Sequence, residues 1–207
     1  MNDIVIIGAG GHAKVIKDII NDNNYYNILG VIDANLKKGE LWQSNIYCLG
    51  NDLDLCNIYK SGIENIVIGI GNNLALRTKI YKNIKKIGFN LPIIAHKSAF
   101  ISKTSIIDEG TVIMPLAIIN SYAKIGKYAI INSGAIVEHD CNIEDNVHIA
   151  PGACILGGVK VGNNTHIGAK AVIIQSLEIG ANTVVGAGAV VTKNILNNKK
   201  VMGVPAK

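Results

Sequence analysis

The chain holds 207 residues, 49% of them apolar and only 17% charged, with a net charge of +5 and a pI near 9.0. That length suits one large domain or two small ones, and two Phe and one Trp are too few for an ordinary aromatic-rich core. The basic residues are scattered among asparagines rather than clustered, which argues against a nucleic-acid surface and for small polyphosphate ligands.

Met1 to Ile7 runs straight into a strand and a glycine turn, not a secretory leader. No apolar run approaches the roughly 20 residues that span a bilayer, so no membrane insertion is expected. Ile4 to Ile7 reads as a strand ending in Gly8-Ala9-Gly10-Gly11-His12. Ala13 to Ile20 follows as a helix, with Val15, Ile16, Ile19 and Ile20 on one face. Ile28 to Ile32 is a second strand ending at Asp33, and Ile66 to Ile70 a third ending in Gly71-Asn72-Asn73. Leu74 to Ile87 is a second helix, closed by Gly88. This alternation predicts an α/β, Rossmann-like half-domain over residues 1–96. Asn35 to Asp54 shows no readable pattern.

Gly8, Gly10 and Ala13 satisfy G-x-G-x-x-G/A between a strand and a helix. Such a turn lets backbone amides approach a phosphate at a helix N-terminus, and Asp33 would accept from a ribose or base. NAD is the obvious ligand, but no second mononucleotide half follows. A half-site suits a nucleotide sugar better.

From Ile101 to Val191 every sixth residue is Ile or Val, sixteen hexads in one phase. The fifth position is mostly small or β-branched, as at Ala117, Ala123, Ala129, Ala135 and Cys141. A period of six fits neither a helix nor a hairpin stack and predicts an all-β parallel β-helix over residues 97–207. Gly or Asn is expected to permit the corners, and Gly126, Gly162, Gly168, Gly180 and Gly186 follow the inward aliphatic. After Val191 the phase is lost, leaving a polar turn from Asn194 to Lys199 and a short tail.

Three hexads make one triangular coil, so His148 and His166, 18 residues apart, should stack. His139 occupies an outward corner position between Glu138 and Asp140. An exposed imidazole oriented by a carboxylate is what a general base in acyl transfer needs. No histidines or cysteines lie at metal-ligand spacing. Cys48, Cys56, Cys141 and Cys154 form no CxxC pair and read as reduced cytoplasmic thiols.

Several segments together resemble a known family. They are Gly8-Ala9-Gly10-Gly11-His12-Ala13, Ile70-Gly71-Asn72-Asn73 with Arg77, His96-Lys97-Ser98-Ala99, Val137-Glu138-His139-Asp140-Cys141 and Gly203-Val204-Pro205-Ala206-Lys207. They resemble bacterial hexapeptide-repeat sugar acyltransferases of the sialic acid O-acetyltransferase, bacillosamine-pathway N-acetyltransferase and GDP-perosamine N-acetyltransferase type. The resemblance implies a left-handed coil, acetyl-CoA as co-substrate without a metal, a nucleotide-sugar acceptor, and a homotrimer with active sites between subunits.

Residue by residue, the resemblance implies that His139 is the general base and that Asp140, often Glu in relatives, orients it. His148 would contact the thioester region of acetyl-CoA, and the backbone at Gly168 and Ala169 would form the pantetheine groove. Gly10, Gly11, His12, Asp33 and Gly71 would form the nucleotide-sugar pocket. Ala34 stands where the family often has a second acidic residue, so uridine and guanosine both remain open. No role is implied for His166.

The expected reaction is N-acetylation of the C4 amine of a nucleotide-linked 4-amino-deoxy sugar, with UDP-4-amino-4,6-dideoxy-GlcNAc in first place. O-acetylation of sialic acid is the alternative within the same family. An NAD enzyme lacks half its fold here, and a non-catalytic scaffold would leave Glu138-His139-Asp140 unexplained.

Overall fold

The computed structural model describes residues 2–207. The chain divides into two units, the first ending at Ile94 and the second running from Ala95 to Lys207.

The first unit is a five-stranded sheet with helices. Its elements are β1 (Asn2–Ile7), α1 (Gly11–Asn23), β2 (Tyr26–Ile32), β3 (Leu41–Gln43), β4 (Ile46–Gly50), α2 (Leu55–Lys60), β5 (Asn65–Ile68) and α3 (Leu74–Ile87). The strand order is β3-β4-β2-β1-β5. All pairings are parallel except β3 with β4. The central strand β1 buries Ile4, Val5, Ile6 and Ile7 together, as a parallel strand covered on both faces must. Helix α1 buries Ala13, Ile16, Ile19 and Ile20, whereas Val15 faces solvent. Ala13, rather than Val15, therefore completes the apolar stripe with Ile16, Ile19 and Ile20. Helix α3 spans the residues its sequence pattern marks. Asn73 Oδ1 accepts from the Leu76 amide at 3.0 Å at its start, and Gly88 closes it at φ 115°, donating to Ile84 O.

The unreadable segment is a hairpin. Ser44 and Asn45 both carry positive φ, 42° and 67°, between β3 and β4. Strand β4 then adds to the sheet beside β2, pairing Val31 with Cys48.

The second unit is a left-handed parallel β-helix built from two-residue strands, from Ile94–Ala95 to Lys200–Val201. In each strand the second residue points inward, giving a stack of Ile113, Ile119, Ile125, Ile131, Val137 and their successors, all essentially inaccessible. The first residues form three outer columns. On the first face these are Phe100, Ile118, Ile136, Cys154, Val172 and Val190. On the second they are Ile106, Lys124, Asn142, Lys160 and Glu178. On the third they are Val112, Ile130, His148, His166, Val184 and Lys200. Buried threonines at the fifth hexad position satisfy corner carbonyls. Thr111 Oγ1 donates to Gly126 O at 2.7 Å and Thr165 Oγ1 to Gly180 O at 2.8 Å.

Two sequence expectations for the coil are corrected. The glycines after the inward aliphatic are not there for a left-handed backbone. A Cβ on Gly168 would sit 2.5 Å from Ala187 N on the next rung, so close approach excludes a side chain. The left-handed position lies two residues later and tolerates Tyr122, Tyr128, Asp140, Asn146, Lys170 and Ser176 as well as Gly. The coil also continues past Val191. The corner there is two residues shorter, so Ile195 and Val201 fill the inward position instead of keeping the six-residue phase.

Candidate active site

In the first unit the turn after β1 is held from three sides. Gly8, at φ 103°, donates its amide to Ile32 O at 2.7 Å. Asp33 Oδ2 accepts from the Ala9 amide at 2.8 Å, and its Oδ1 accepts from the Asn35 amide at 2.8 Å. Trp42 Nε1 donates to Ala9 O at 2.8 Å. Asp33 thus fastens the turn in addition to standing at the end of β2. Trp42 was not readable as a site residue, although it is the lone tryptophan. Gly10 and Gly11 are exposed at the start of α1, with no neighbouring atom in the direction a side chain would take.

His12, in the first turn of α1, packs its ring beside Gly71, where an added Cβ would lie 3.5 Å from the ring Cγ. Arg77, only 1% exposed, donates from Nη1 to Ile70 O at 2.6 Å and fixes the loop carrying Gly71. Burial, and then the nearby Arg77 charge, push the His12 pKa down to about 4 from 6.5. The ring is therefore neutral at pH 7. Its Nε2 is buried without a hydrogen-bond partner among the described residues. Because the folded pKa is depressed, the stability this site contributes is present above about 6.5 and lost as pH falls toward 4. The melting temperature is expected to fall through that window. His12→Asn should flatten the fall, and an identical pH profile in the variant would refute the assignment.

In the second unit His139 stands in the corner where the chain leaves the first face. Its Nδ1 lies 2.8 Å from Asp140 Oδ2, and both side chains are more than 60% exposed. With Nδ1–H donated to the carboxylate, Nε2 keeps its lone pair outward. Asp140 reaches the ring from a left-handed backbone at φ 59°, a conformation Asp tolerates. The other flanking carboxylate is occupied elsewhere: Glu138 Oε2 accepts from Asn120 Nδ2 at 2.9 Å. One rung above, the ring covers Gly157, whose Cβ, if present, would sit 2.6 Å from Cε1 and 2.7 Å from Nε2.

His148 lies on the third face and is 4% exposed. Its Nε2 is 3.0 Å from Asn132 Nδ2. The His166 ring stacks on the same column, perpendicular to it, with centroids 4.8 Å apart. Asn132 carries no periodic signal and was not singled out from the sequence. Gly168 and Ala169 occupy the corner after the third face, followed one rung up by Gly186, Ala187 and Gly188, so this edge is a strip of small residues.

The coil brings His139 to Asp140 and His148 to Asn132 and His166, but it does not bring the two groups together. In a triangular prism the corner between the first and second faces is the vertex opposite the third face. The packed core therefore separates His139 from His148 within one coil. A polar concavity of about 400 Å³ lies on the second face around Lys160, Glu178 and Asn194, and none of the candidate residues lines it.

Cys141 is buried with Sγ 3.2 Å from Leu156 O, and burial pushes its thiol up to about 11, so it is no nucleophile at neutral pH. Among the described residues no three His, Cys, Asp or Glu side chains group as metal ligands. No helix among them is long and apolar enough to cross a membrane.

Residues 3–84 match the PglD N-terminal domain family. Residues 140–175 and 158–193 match the bacterial transferase hexapeptide (six repeats) family. The chain is 35% identical over 119 residues to the UDP-N-acetylbacillosamine N-acetyltransferase of Bacillus subtilis (strain 168), covering 55% of this chain and 52% of that protein. The match thus spans about half the length of that relative. The fold is similar to PerB from Caulobacter crescentus, solved in complex with CoA and GDP-perosamine. TM-score is 0.93 at 35% identity, over 100% of this chain and 97% of that one. It is also similar to the acetyltransferase domain of PglB from Neisseria gonorrhoeae FA1090 in complex with acetyl coenzyme A. TM-score is 0.92 at 32% identity, over 100% and 99% of the two chains.

Proposed function

The chain belongs to the bacterial hexapeptide transferases that carry a PglD N-terminal domain, and from that premise we propose that it is an acetyl-CoA-dependent N-acetyltransferase. Its acceptor is the C4 amine of a nucleotide-linked 4-amino-deoxy sugar, such as UDP-4-amino-4,6-dideoxy-GlcNAc, destined for surface glycan or glycoprotein. The observation that carries this reading is the exposed His139–Asp140 pair at 2.8 Å. It supplies a base whose tautomer is fixed by a carboxylate.

The amine nitrogen attacks the thioester carbonyl carbon. His139 Nε2 takes the proton the amine loses, the C–S bond breaks, and the coenzyme sulfur leaves as the thiolate that accepts a proton. Asp140 holds the resulting imidazolium. The nucleotide diphosphate would be received at the N-terminus of α1, where Gly10 and Gly11 are exposed, close to Gly71 and the neutral His12 ring. His148, and the small-residue edge at Gly168 and Ala169, are the donor side. An amine is nucleophilic once neutral, so positioning supplies much of the rate and the base removes a proton during attack.

The coil supports a trimer as the working unit. Its first outer column is wholly apolar, with Phe100 57% exposed, while the second carries Lys124, Asn142, Lys160 and Glu178. Docking three coils would also bring His139 of one copy to the His148 side of the next, which no single coil does. Light scattering is expected to give three times 22.0 kDa for the wild-type chain. Ile136→Glu, in the middle of the apolar column, should shift it to the single-chain mass with the coil still folded. A wild-type monomer would contradict the trimer. The proposed co-substrates and four free cysteines fit a cytoplasmic enzyme.

The reading is tested by the bond formed. The radiolabelled product from acetyl-CoA and the UDP-linked amino-sugar should keep its label in alkaline hydroxylamine, as an amide does. Loss of label would mean an ester, and label only on sialic acid would move the chain to O-acetylation.

A further inference from the structure

The corner that carries His139 also carries a tyrosine in a conformation tyrosine does not favour. Rung by rung, the left-handed position of that corner is filled by Tyr122, Asp140, Gly158 and Ser176, at φ 61°, 59°, 71° and 59°. Elsewhere the coil gives this position mainly to Gly and Asn, as at Gly134, Gly152, Asn146, Asn164 and Asn182. A bulky side chain there strains the backbone. Tyr122 has no burial to compensate: it is 64% exposed, whereas Tyr128, the other left-handed tyrosine, is 6% exposed. Leu116 shares the conformation and the exposure, but at the corner after the third face. An aromatic ring held in solvent against a conformational cost points to a contact outside its own coil.

Tyr122 lies one coil before Asp140. The Asp140 amide donates to Ser121 O at 3.0 Å, which ties the two rungs, and paired strands lie about 4.8 Å apart. A tyrosine side chain is longer than that step. The Tyr122 amide donates to Thr104 Oγ1 at 3.2 Å, which anchors its backbone from the rung below. His139 leans the other way. Its ring covers Gly157, on the rung above, within 2.6 Å of where a Cβ would stand. The proposed donor edge at Gly168 and Ala169 also lies on higher rungs. The surface below the His139 ring, formed by the exposed Ser121 and Tyr122, is therefore left for the acceptor.

We propose that Tyr122 is a specificity-determining residue for the acceptor sugar: its ring receives the apolar edge of the pyranose, formed by C5 and the C6 methyl group. The proposal rests on the reading of His139 as the base for a C4 amine. C4 and C5 are adjacent ring atoms, so an amine at His139 Nε2 carries the methyl group along beside the same corner. An aromatic face attracts a methyl group, whereas a hydroxyl in its place would lose water without gaining a partner. Tyr122 thus favours a 6-deoxy sugar over one that keeps its 6-hydroxyl.

The test uses the full chain and pairs of acceptors that differ only at C6. They are the UDP- and GDP-linked 4-amino-4,6-dideoxy sugars, each beside its 6-hydroxy counterpart, with thiol release from acetyl-CoA as the readout. The wild type should prefer the 6-deoxy member of the pair it uses by about tenfold in kcat/KM. Tyr122→Phe should keep that preference. Tyr122→Asn, whose side chain suits a left-handed backbone, should lower kcat/KM for the 6-deoxy sugar by about tenfold. The 6-hydroxy sugar should stay within about threefold, and KM for acetyl-CoA should not change. The melting temperature of this variant should hold or rise, because the strain is relieved. A wild-type enzyme blind to C6, or a preference that survives in Tyr122→Asn, would overturn the proposal and leave the acetyl-transfer reading intact. So would a drop in the mass of Tyr122→Asn by light scattering, which would give the ring to the contact between copies. Turnover of neither pair would overturn the acetyl-transfer reading itself, and this proposal with it.

Discussion

His139→Asn is expected to lower kcat for acetyl transfer by about 10²–10⁴-fold, the range a positioned general base supplies. Asparagine keeps a polar group of similar reach but has no basic nitrogen. The effect should fall on the chemical step. KM for both co-substrates should stay within about threefold, because the proposed donor side is built from His148, Gly168 and Ala169 and the acceptor side from the first unit. Stability should hardly change. The His139 side chain is 62% exposed and pairs with the equally exposed Asp140. Steady-state kinetics and a melting curve on the same preparation separate the two effects. A variant that unfolds at the wild-type temperature and keeps full activity would remove His139 from the mechanism.

Gly157→Ala is expected to cost about 10²-fold in kcat without removing any group that reacts. The methyl group would arrive 2.6 Å from His139 Cε1 and 2.7 Å from Nε2, well inside van der Waals contact. Backbone here cannot yield easily. The neighbouring Gly158 amide donates to His139 O at 2.9 Å, and Gly157 O accepts from Ser176 at 2.9 Å, so the rungs are tied above and below. The exposed imidazole is the part free to move, and moving it breaks the Asp140 contact and turns Nε2 away. Melting temperature should fall little, because the strain is relieved at the surface. Full activity in Gly157→Ala would mean that the ring position seen here is not the reactive one.

Much of this architecture was legible in the residues, for definite reasons. A β-helix writes its core in plain periodicity, since each inward position meets only the rungs above and below. The sixteen unbroken aliphatics therefore located the coil and put His139 on an outward corner. The glycine turn and its flanking strands were legible because Gly8, Ala13 and Gly88 each answer a local backbone or packing demand. The hairpin over β3 and β4 was hidden. Its first strand has only three residues, and its turn uses Ser44-Asn45 rather than a glycine-containing pair. Trp42 could not be placed because its partner, Ala9 O, lies across the sheet unit and 33 residues away.

Partnerships between rungs were the other gap. Asn132 and Glu138 look alike as polar corner residues, yet one meets His148 and the other meets Asn120. Side-chain direction, not spacing, decides between them. Gly157 was within reach: it lies one full coil after His139, and the eighteen-residue rule that stacked His148 on His166 would have placed it there.

A chain that moves an acetyl group from coenzyme A to a nucleotide-linked amine must release coenzyme A thiol when, and only when, that amine is present. The most direct measurement is release of free thiol from acetyl-CoA, followed with a disulfide reagent. The arms are a UDP-linked 4-amino-4,6-dideoxy sugar, a GDP-linked 4-amino-6-deoxy sugar, free sialic acid and no acceptor. Thiol release with one of the nucleotide amino-sugars, above the rate without acceptor, is the predicted result and also identifies the base. Thiol release with sialic acid alone, or no release with either nucleotide amino-sugar, would contradict it.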